Sequence, residues 1–239
     1  MIERREITTD RLVLRTYKIT DGDAVWPVLS HPKLYATTLG LPKPYPREKV
    51  DQWFSFIEKQ WDEDRGYEFG IFLKINGEYV GNCGLLGIDR RSEIGGISFN
   101  CDPDKWGNGY TTEAAHALCS FGFDVLELNR IDGGCMSINP ASRRVMEKLG
   151  FIYEGTRKQH IKKDGLFYDE DILGLLREDF ILSYSDNLNF RGNDMSLELA
   201  DNYVKSIFDN HPEHVTEYRF REKYTPLSVT VFFFFHCLR

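Results

Sequence analysis

Asn100-Cys-Asp-Pro-Asp-Lys-Trp-Gly-Asn-Gly-Tyr-Thr-Thr-Glu113 is the stretch on which the reading of this chain turns. Before it, Ile97, Phe99 and Cys101 alternate with polar or small residues; after it, Ala114, Ala117, Leu118, Phe121 and Val125 recur at helical spacing. A strand therefore passes directly into an amphipathic helix. Gly107 and Gly109 sit where the period changes, and glycine both accepts positive φ and lets a ligand approach the backbone. The unpaired amides of the helix's first turn point outward at the positive end of its dipole, which suits a pyrophosphate. Two glycines can also serve the turn alone, so the surrounding residues have to decide. No lysine follows them, which removes a P-loop, and the third-glycine position of a dinucleotide fingerprint is Thr112.

Working outward, Ser137-Ile-Asn-Pro-Ala-Ser-Arg-Arg-Val-Met-Glu-Lys-Leu-Gly-Phe151 carries the boundary signals of a short helix. Asn139 is its N-cap, Pro140 its first residue, Lys148 falls in the last turn and Gly150 follows the end. Ala141, Val145 and Leu149 share a face expected to pack inward, with Ser142 and Met146 on the neighbouring stripe. The plainest reading of Ser142 is a solvated helix serine.

Trp106 to Ala114, Leu128-Asn-Arg-Ile131, Asn139 to Phe151 and Glu154-Gly155 together resemble the GNAT acyltransferases, in the branch of the Rim-type ribosomal-protein N-acetyltransferases. Thr9-Asp-Arg-Leu-Val-Leu-Arg15 is similar to that branch's first strand, and the resemblance runs over residues 7 to 180. It implies an α/β (α+β) fold: a mixed, mostly antiparallel sheet flanked by helices, with two parallel strands splaying apart to admit a thioester. Residues 1–180 form the expected catalytic domain and 181–239 an extension of unknown role. The implied activity is transfer of an acetyl group from acetyl-CoA to a primary amine by direct attack in a ternary complex, without a metal.

The resemblance assigns residues one by one. Backbone groups of Phe99, Asn100 and Cys101 border the pantetheine and acyl group, and Trp106, Gly107, Asn108, Gly109, Tyr110, Thr111 and Thr112 offer amides to the pyrophosphate. The Asn139 side chain is placed on the CoA arm, although an N-cap asparagine needs no ligand to explain it. Asp104 stands where many relatives have Gln or Arg, so only the backbone contact carries over there. The tyrosine that many relatives use as general acid is Met146 here; Ser142 matches the Rim-type alternative, as an acid or as a CoA contact. The two positions at which relatives carry a base are Ile161 and Cys135, which leaves Glu93 and Glu68, each of which also reads as a plain strand carboxylate. An α-amine with pKa about 7.7–8.0 is roughly a tenth neutral at pH 7, whereas lysine at about 10.4 is almost wholly charged, so an α-amine tolerates a weak base.

Composition narrows the partners. The chain has 239 residues, 41% of them hydrophobic, and a formal net charge of −7, which argues against a broad nucleic-acid surface and is compatible with cationic amines. Cys83, Cys101, Cys119, Cys135 and Cys237 are odd in number and lack a Cys-x-x-Cys pair, suggesting neither disulfides nor zinc. A reducing cytoplasm fits. The N-terminal Met-Ile-Glu-Arg-Arg-Glu lacks an apolar signal core, and no stretch reaches membrane-spanning length. The expected partner is an amine acceptor, either a small molecule or a protein N-terminus, with neither nucleic acid nor membrane, and the chain is a monomer or homodimer. Two rival readings remain: a CoA-binding module without catalysis, and a lysine or polyamine acetyltransferase.

Elsewhere, Arg11 to Arg15 reads as a strand and a helix begins near Asp23. Leu39-Gly-Leu-Pro-Lys-Pro-Tyr-Pro46 cannot continue a helix. A second helix from Arg47 to Glu63 repeats Trp53, Phe54, Ile57 and Trp61, read as core, with Tyr45 or Trp53 as possible substrate contacts. Asn76-Gly77 joins two strands as a hairpin, and Lys162-Lys-Asp-Gly165 another pair. Past Phe180, residues 183–194 read as a linker, Ser196 to Phe208 as helix-like, and the Phe232 to Phe235 run has no counterpart in the family.

Overall fold

In this computed structural model the chain divides into two compact units, Met1–Phe180 and Ile181–Arg239. The structure describes residues 4–180 and, beyond them, only the backbone of Phe220–Glu222 and Val229–Val231. In the second unit those two strands pair antiparallel, Val231 opposite Phe220. The linker and helix expected over 183–208, and the Phe232 to Phe235 run, lie outside the described residues.

Among the described residues the first unit carries eight strands: β1 (Ile7–Thr8), β2 (Leu12–Arg15), β3 (Gly66–Leu73), β4 (Tyr79–Asp89), β5 (Ile94–Cys101), β6 (Arg130–Met136), β7 (Ile152–Lys163) and β8 (Leu166–Leu176). Its helices are α1 (Gly22–Leu29), α2 (Pro32–Thr37), α3 (Glu48–Asp62), α4 (Tyr110–Asp124) and α5 (Pro140–Lys148). The sheet order is β1-β2-β3-β4-β5-β6-β8-β7, and β5 with β6 is the parallel pair in an otherwise antiparallel ladder. The mixed sheet follows from the chain itself, because α4 crosses between β5 and β6 and a crossover returns the strand in the same direction.

Alternation along β3 sorts the core. Tyr67, Phe69 and Ile71 join Trp61 of α3 and Phe121 of α4 in one buried cluster. Within it Trp61 meets Tyr67 and Phe69 edge-on at 4.8 and 5.2 Å between centroids, a geometry worth about 0.5–1.5 kcal/mol per pair beyond the area buried. Phe72 and Tyr79 belong to a second cluster with Val25, Leu29, Leu34, Val50 and Phe54, which seats the first helices.

Three expectations need correction. The helix α2 was not foreseen, although His31 caps it by accepting from the Lys33 amide and Pro32 opens it. On α5 the inward residues are Met146 and Leu149, while Ala141 is exposed. The reason lies on β6: Gly133 has no Cβ, and one placed there would stand 2.5 Å from Met146 Sδ. On α4, Ala115, Cys119 and Phe123 are buried, whereas Ala117 and Val125 are only partly so.

Candidate active site

The parallel pair is short. Ile94, Gly95 and Gly96 register with Arg130, Ile131 and Asp132, and the pairing stops there. Beyond it β5 stays bound to β4 as far as Gly81↔Cys101, and β6 stays bound to β8 as far as Met136↔Glu170. The strands therefore diverge into an open wedge. Which backbone groups face it follows from the ladder: the Asp102 amide donates to the Val80 carbonyl at 2.7 Å, so by antiparallel alternation Asn100 turns its groups to β4, while Phe99 and Cys101 turn theirs to the wedge. The Cys101 carbonyl accepts from Trp106 Nε1 at 3.0 Å, which fixes the half-exposed indole at the rim.

At the mouth of the wedge Gly107 and Gly109 have φ of 83° and 78°. These angles are left-handed, so a side chain there is strained whatever the space around it. A Cβ on Gly107 would meet nothing within 4 Å, and one on Gly109 only Arg11 Nη2 at 3.5 Å. The turn is thus open on its outer side. The first helical bond at this end of α4 runs from the Glu113 amide to the Gly109 carbonyl at 3.1 Å, so the preceding amides form the outward-pointing donor set of a helix start.

Glu113 and Arg11 position this turn, and sequence reasoning missed them. Glu113 accepts from Thr9 Oγ1 at 2.6 Å, the Arg11 amide at 2.9 Å and Arg11 Nε at 2.7 Å. Arg11 Nη1 also donates to the Asn108 carbonyl at 3.0 Å. Burial pushes the Glu113 carboxyl up, but the hydrogen bonds from Thr9 and Arg11 prevail and hold it below its ordinary range. Both residues stand in the stretches that carry the family resemblance; nothing local reveals that they pair.

On the other wall, Asn139 caps α5 as expected, its Oδ1 accepting from the Ser142 amide at 3.2 Å. Its Nδ2 donates to the Thr37 carbonyl at 3.3 Å, so the side chain also ties α2 to α5. Ser142 is half-buried, on the stripe of Met146 and one turn nearer the end of β6. Behind it Asp171 accepts from Ser137 Oγ at 2.7 Å, Thr156 Oγ1 at 2.7 Å and Arg143 Nη1 at 3.1 Å, fixing α5 to β6, β7 and β8. Ile161 is buried, and burial pushes the Cys135 thiol up to about 11, so neither offers a base near neutral pH.

The two carboxylates proposed from sequence part company. Glu93 is exposed, has φ 54°, and uses its carbonyl to take the Asn129 and Arg130 amides at 2.8 and 3.1 Å. It stands at the closed end of the wedge, the whole length of β5 away from Asn100, a distance of about 23 Å at strand rise. The structure does not bring it to the site. Glu68 is buried, and burial pushes its carboxyl up to about 7, with a smaller opposing effect from the hydrogen bond donated by Asn82 Nδ2. Asn82 is the register partner of Asn100. Glu68, Asn82 and Asn100 thus form a polar file across one face of the sheet, ending beside the wedge. The side-chain oxygens of Asn82 and Asn100 are buried without a hydrogen-bond partner among the described residues.

These features fit a CoA thioester: strand edges released beside buried, unsatisfied oxygens, and an open left-handed turn delivering helix amides. Fold and site together define an acyl-CoA-dependent transferase. The sequence profile of the Acetyltransferase (GNAT) domain matches residues 11–152, and the chain belongs to that family. It is 31% identical over 181 residues to the uncharacterized N-acetyltransferase YnaD of Bacillus subtilis, covering 73% of this chain and 98% of YnaD. The uncharacterized N-acetyltransferase YoaA of the same organism is 28% identical over 174 residues, 72% of this chain and 96% of YoaA. Among solved structures, a GNAT-family acetyltransferase from Bacillus anthracis superposes with TM-score 0.64 at 25% identity, covering 73% of this chain and 99% of that one. RimL, a ribosomal L7/L12 α-N-protein acetyltransferase in complex with coenzyme A, superposes with TM-score 0.67 at 18% identity, covering 72% and 98%. Among the described residues no helix is long and apolar enough to cross a membrane.

Proposed function

We propose that this enzyme transfers the acetyl group of acetyl-CoA to a primary α-amine, that of a protein N-terminus or of a small molecule, by direct attack in a ternary complex. The observation that carries this reading is the end of the β5–β6 ladder at Gly96↔Asp132 beside the left-handed turn at Gly107 and Gly109. Backbone groups of Phe99 and Cys101 would hold the pantetheine, and the amides from Gly107 to Thr112 the pyrophosphate. When bound, acetyl-CoA supplies the activated acyl thioester.

The chain's own residues then handle protons. Glu68, with its carboxyl near 7, matches an α-ammonium at about 7.7–8.0 far better than a lysine at about 10.4. It would accept, by way of water, the proton the amine must lose, while the Asn82 amide hydrogen-bonds and orients the carboxyl. Ser142 carries a hydroxyl for the departing sulfur, which needs only a placed donor because a thiol titrates near 8.5. In the pairing of a near-neutral carboxyl with a weak acid lies the argument against a lysine acceptor.

Thiol release measured with α-amine peptides, lysine side chains and diamines tests the proposal. Turnover confined to α-amines is the expected result. Tight acetyl-CoA binding with no amine-dependent thiol release would make the chain a binding module instead.

A further inference from the structure

Lys43 and Lys163 come from opposite sides of the first unit's chain onto one aromatic ring. Their ammonium groups lie 5.0 and 4.2 Å from the centroid of Tyr35. Two ammoniums on one ring stand within about 9 Å of each other, comparable to a Debye length at physiological salt, so they repel. Neither makes an ion pair among the described residues. Lys163 Nζ donates to the Thr38 carbonyl at 2.8 Å and to the Tyr35 carbonyl. The nearby carboxylate, Asp164, is engaged by the Tyr35 hydroxyl at 2.5 Å. Lys162, next in the chain, rests over Phe167 at 5.4 Å. Among the described residues Asp164 is the one carboxylate that acts on Lys163, so in a chain of net charge −7 two ammoniums on one ring against a single carboxylate leave a local positive excess that suits an outside anion.

Its place in the fold gives it a task. Tyr35 lies two residues before Thr37 on α2, whose carbonyl is held by Asn139 at the wall of the wedge. At a rise of about 1.5 Å per residue the Tyr35 backbone is within roughly one helical turn of that contact. Lys163 and Asp164 belong to the β7–β8 hairpin, so α2, the hairpin tip and the start of α5 meet beside the open end of the wedge. We infer that Lys43 and Lys163 form an anion-binding rim that selects acceptor amines carrying a carboxylate, such as an acidic peptide N-terminus, over polycationic amines. This deepens the proposed acetylation of an α-amine and rests on it. It also revises the expectation from overall charge, since the local field at this rim opposes the global one.

The test uses the full chain, acetyl-CoA and thiol release, with peptide pairs identical except for Asp or Ala at the second and third positions, and spermidine as polycation. Lys43 is the residue to change because its contact in the structure is with the Tyr35 ring, whereas Lys163 also holds the backbone of α2. The expected result is a higher kcat/KM for acidic peptides, an advantage that shrinks as salt rises. In Lys43→Glu the acidic-to-neutral ratio should fall about fivefold, the equivalent of about 1 kcal/mol, the upper end for one lost exposed ion pair. Lys43→Gln should give an intermediate ratio. If acidic and neutral peptides are used equally, or the ratio is the same in wild type and Lys43→Glu, the rim does not select and the inference fails while acetylation stands. If acetyl-CoA binds by calorimetry but no amine releases thiol, the enzymatic reading falls and takes the inference with it.

Discussion

Arg11 and Glu113, 102 residues apart in sequence, are joined by a 2.7 Å ion pair and a 2.9 Å bond from the Arg11 backbone amide. The pair fastens the start of β2 to the first turn of α4, so the loop that would receive the pyrophosphate is held by a strand three places away from β5 in the sheet. Glu113→Gln should lower stability by about 1 kcal/mol and raise the KM for acetyl-CoA several-fold, with little change in kcat. Because the folded-state carboxyl is held below its unfolded value, its contribution is present above about pH 4.3 and is lost as pH falls through the lower folded pKa. Acid denaturation of wild type and variant should therefore converge at low pH.

Gly109 supplies the left-handed residue that caps α4, at φ 78°. Gly109→Val would force a β-branched side chain into a conformation that costs about 1–3 kcal/mol and would fill the outer side of the turn. Calorimetry should show acetyl-CoA binding sharply weakened while circular dichroism keeps the wild-type spectrum. Unchanged binding would move the pyrophosphate site elsewhere.

For Glu68 the decisive measurement is a pH profile. With a carboxyl near 7, wild-type kcat/KM should climb through about pH 7 as the carboxylate forms. Glu68→Gln should lose that limb and about 10²–10⁴ in rate. Stability should move the other way. A folded carboxyl raised above its unfolded value favours the fold below the unfolded pKa, and that advantage disappears as pH rises through about 7, on the order of 3 kcal/mol. At pH 8 the variant should melt at a higher temperature than wild type.

Ser142→Ala removes one hydroxyl from α5 and keeps both the Asn139 cap and the buried Met146. Stability should change by less than about 0.5 kcal/mol, and kcat at saturating acetyl-CoA should drop by about 10²-fold if the hydroxyl protonates the leaving sulfur. A raised KM with unchanged kcat would reassign Ser142 to cofactor binding.

A chain ending at Tyr184 keeps Phe180, which is buried against Phe123 and His116. It should fold and bind acetyl-CoA. Loss of the circular-dichroism spectrum on truncation would make the extension part of the fold of the first unit.

What could be read in the sequence depends on how far apart the interacting residues lie. The turn at Gly107 and Gly109, the Asn76-Gly77 hairpin and the Asn139-Pro140 cap were legible because each is settled by neighbours within a few residues. The mixed sheet followed from one crossover. Short α2 escaped because a helix of six residues hardly establishes a period. On α5 the inward stripe was misjudged because Gly133, on another element, provides the space for Met146. Glu93 and Glu68 looked alike as strand carboxylates; sheet register alone buries Glu68 beside Asn82 and leaves Glu93 exposed at the closed end of the wedge. Arg11 with Glu113, and Lys43 with Lys163, meet only after the whole sheet has formed. Local geometry is set by backbone preferences that each residue carries with it, whereas pairing across the sheet is set by register and strand order, which no single segment contains.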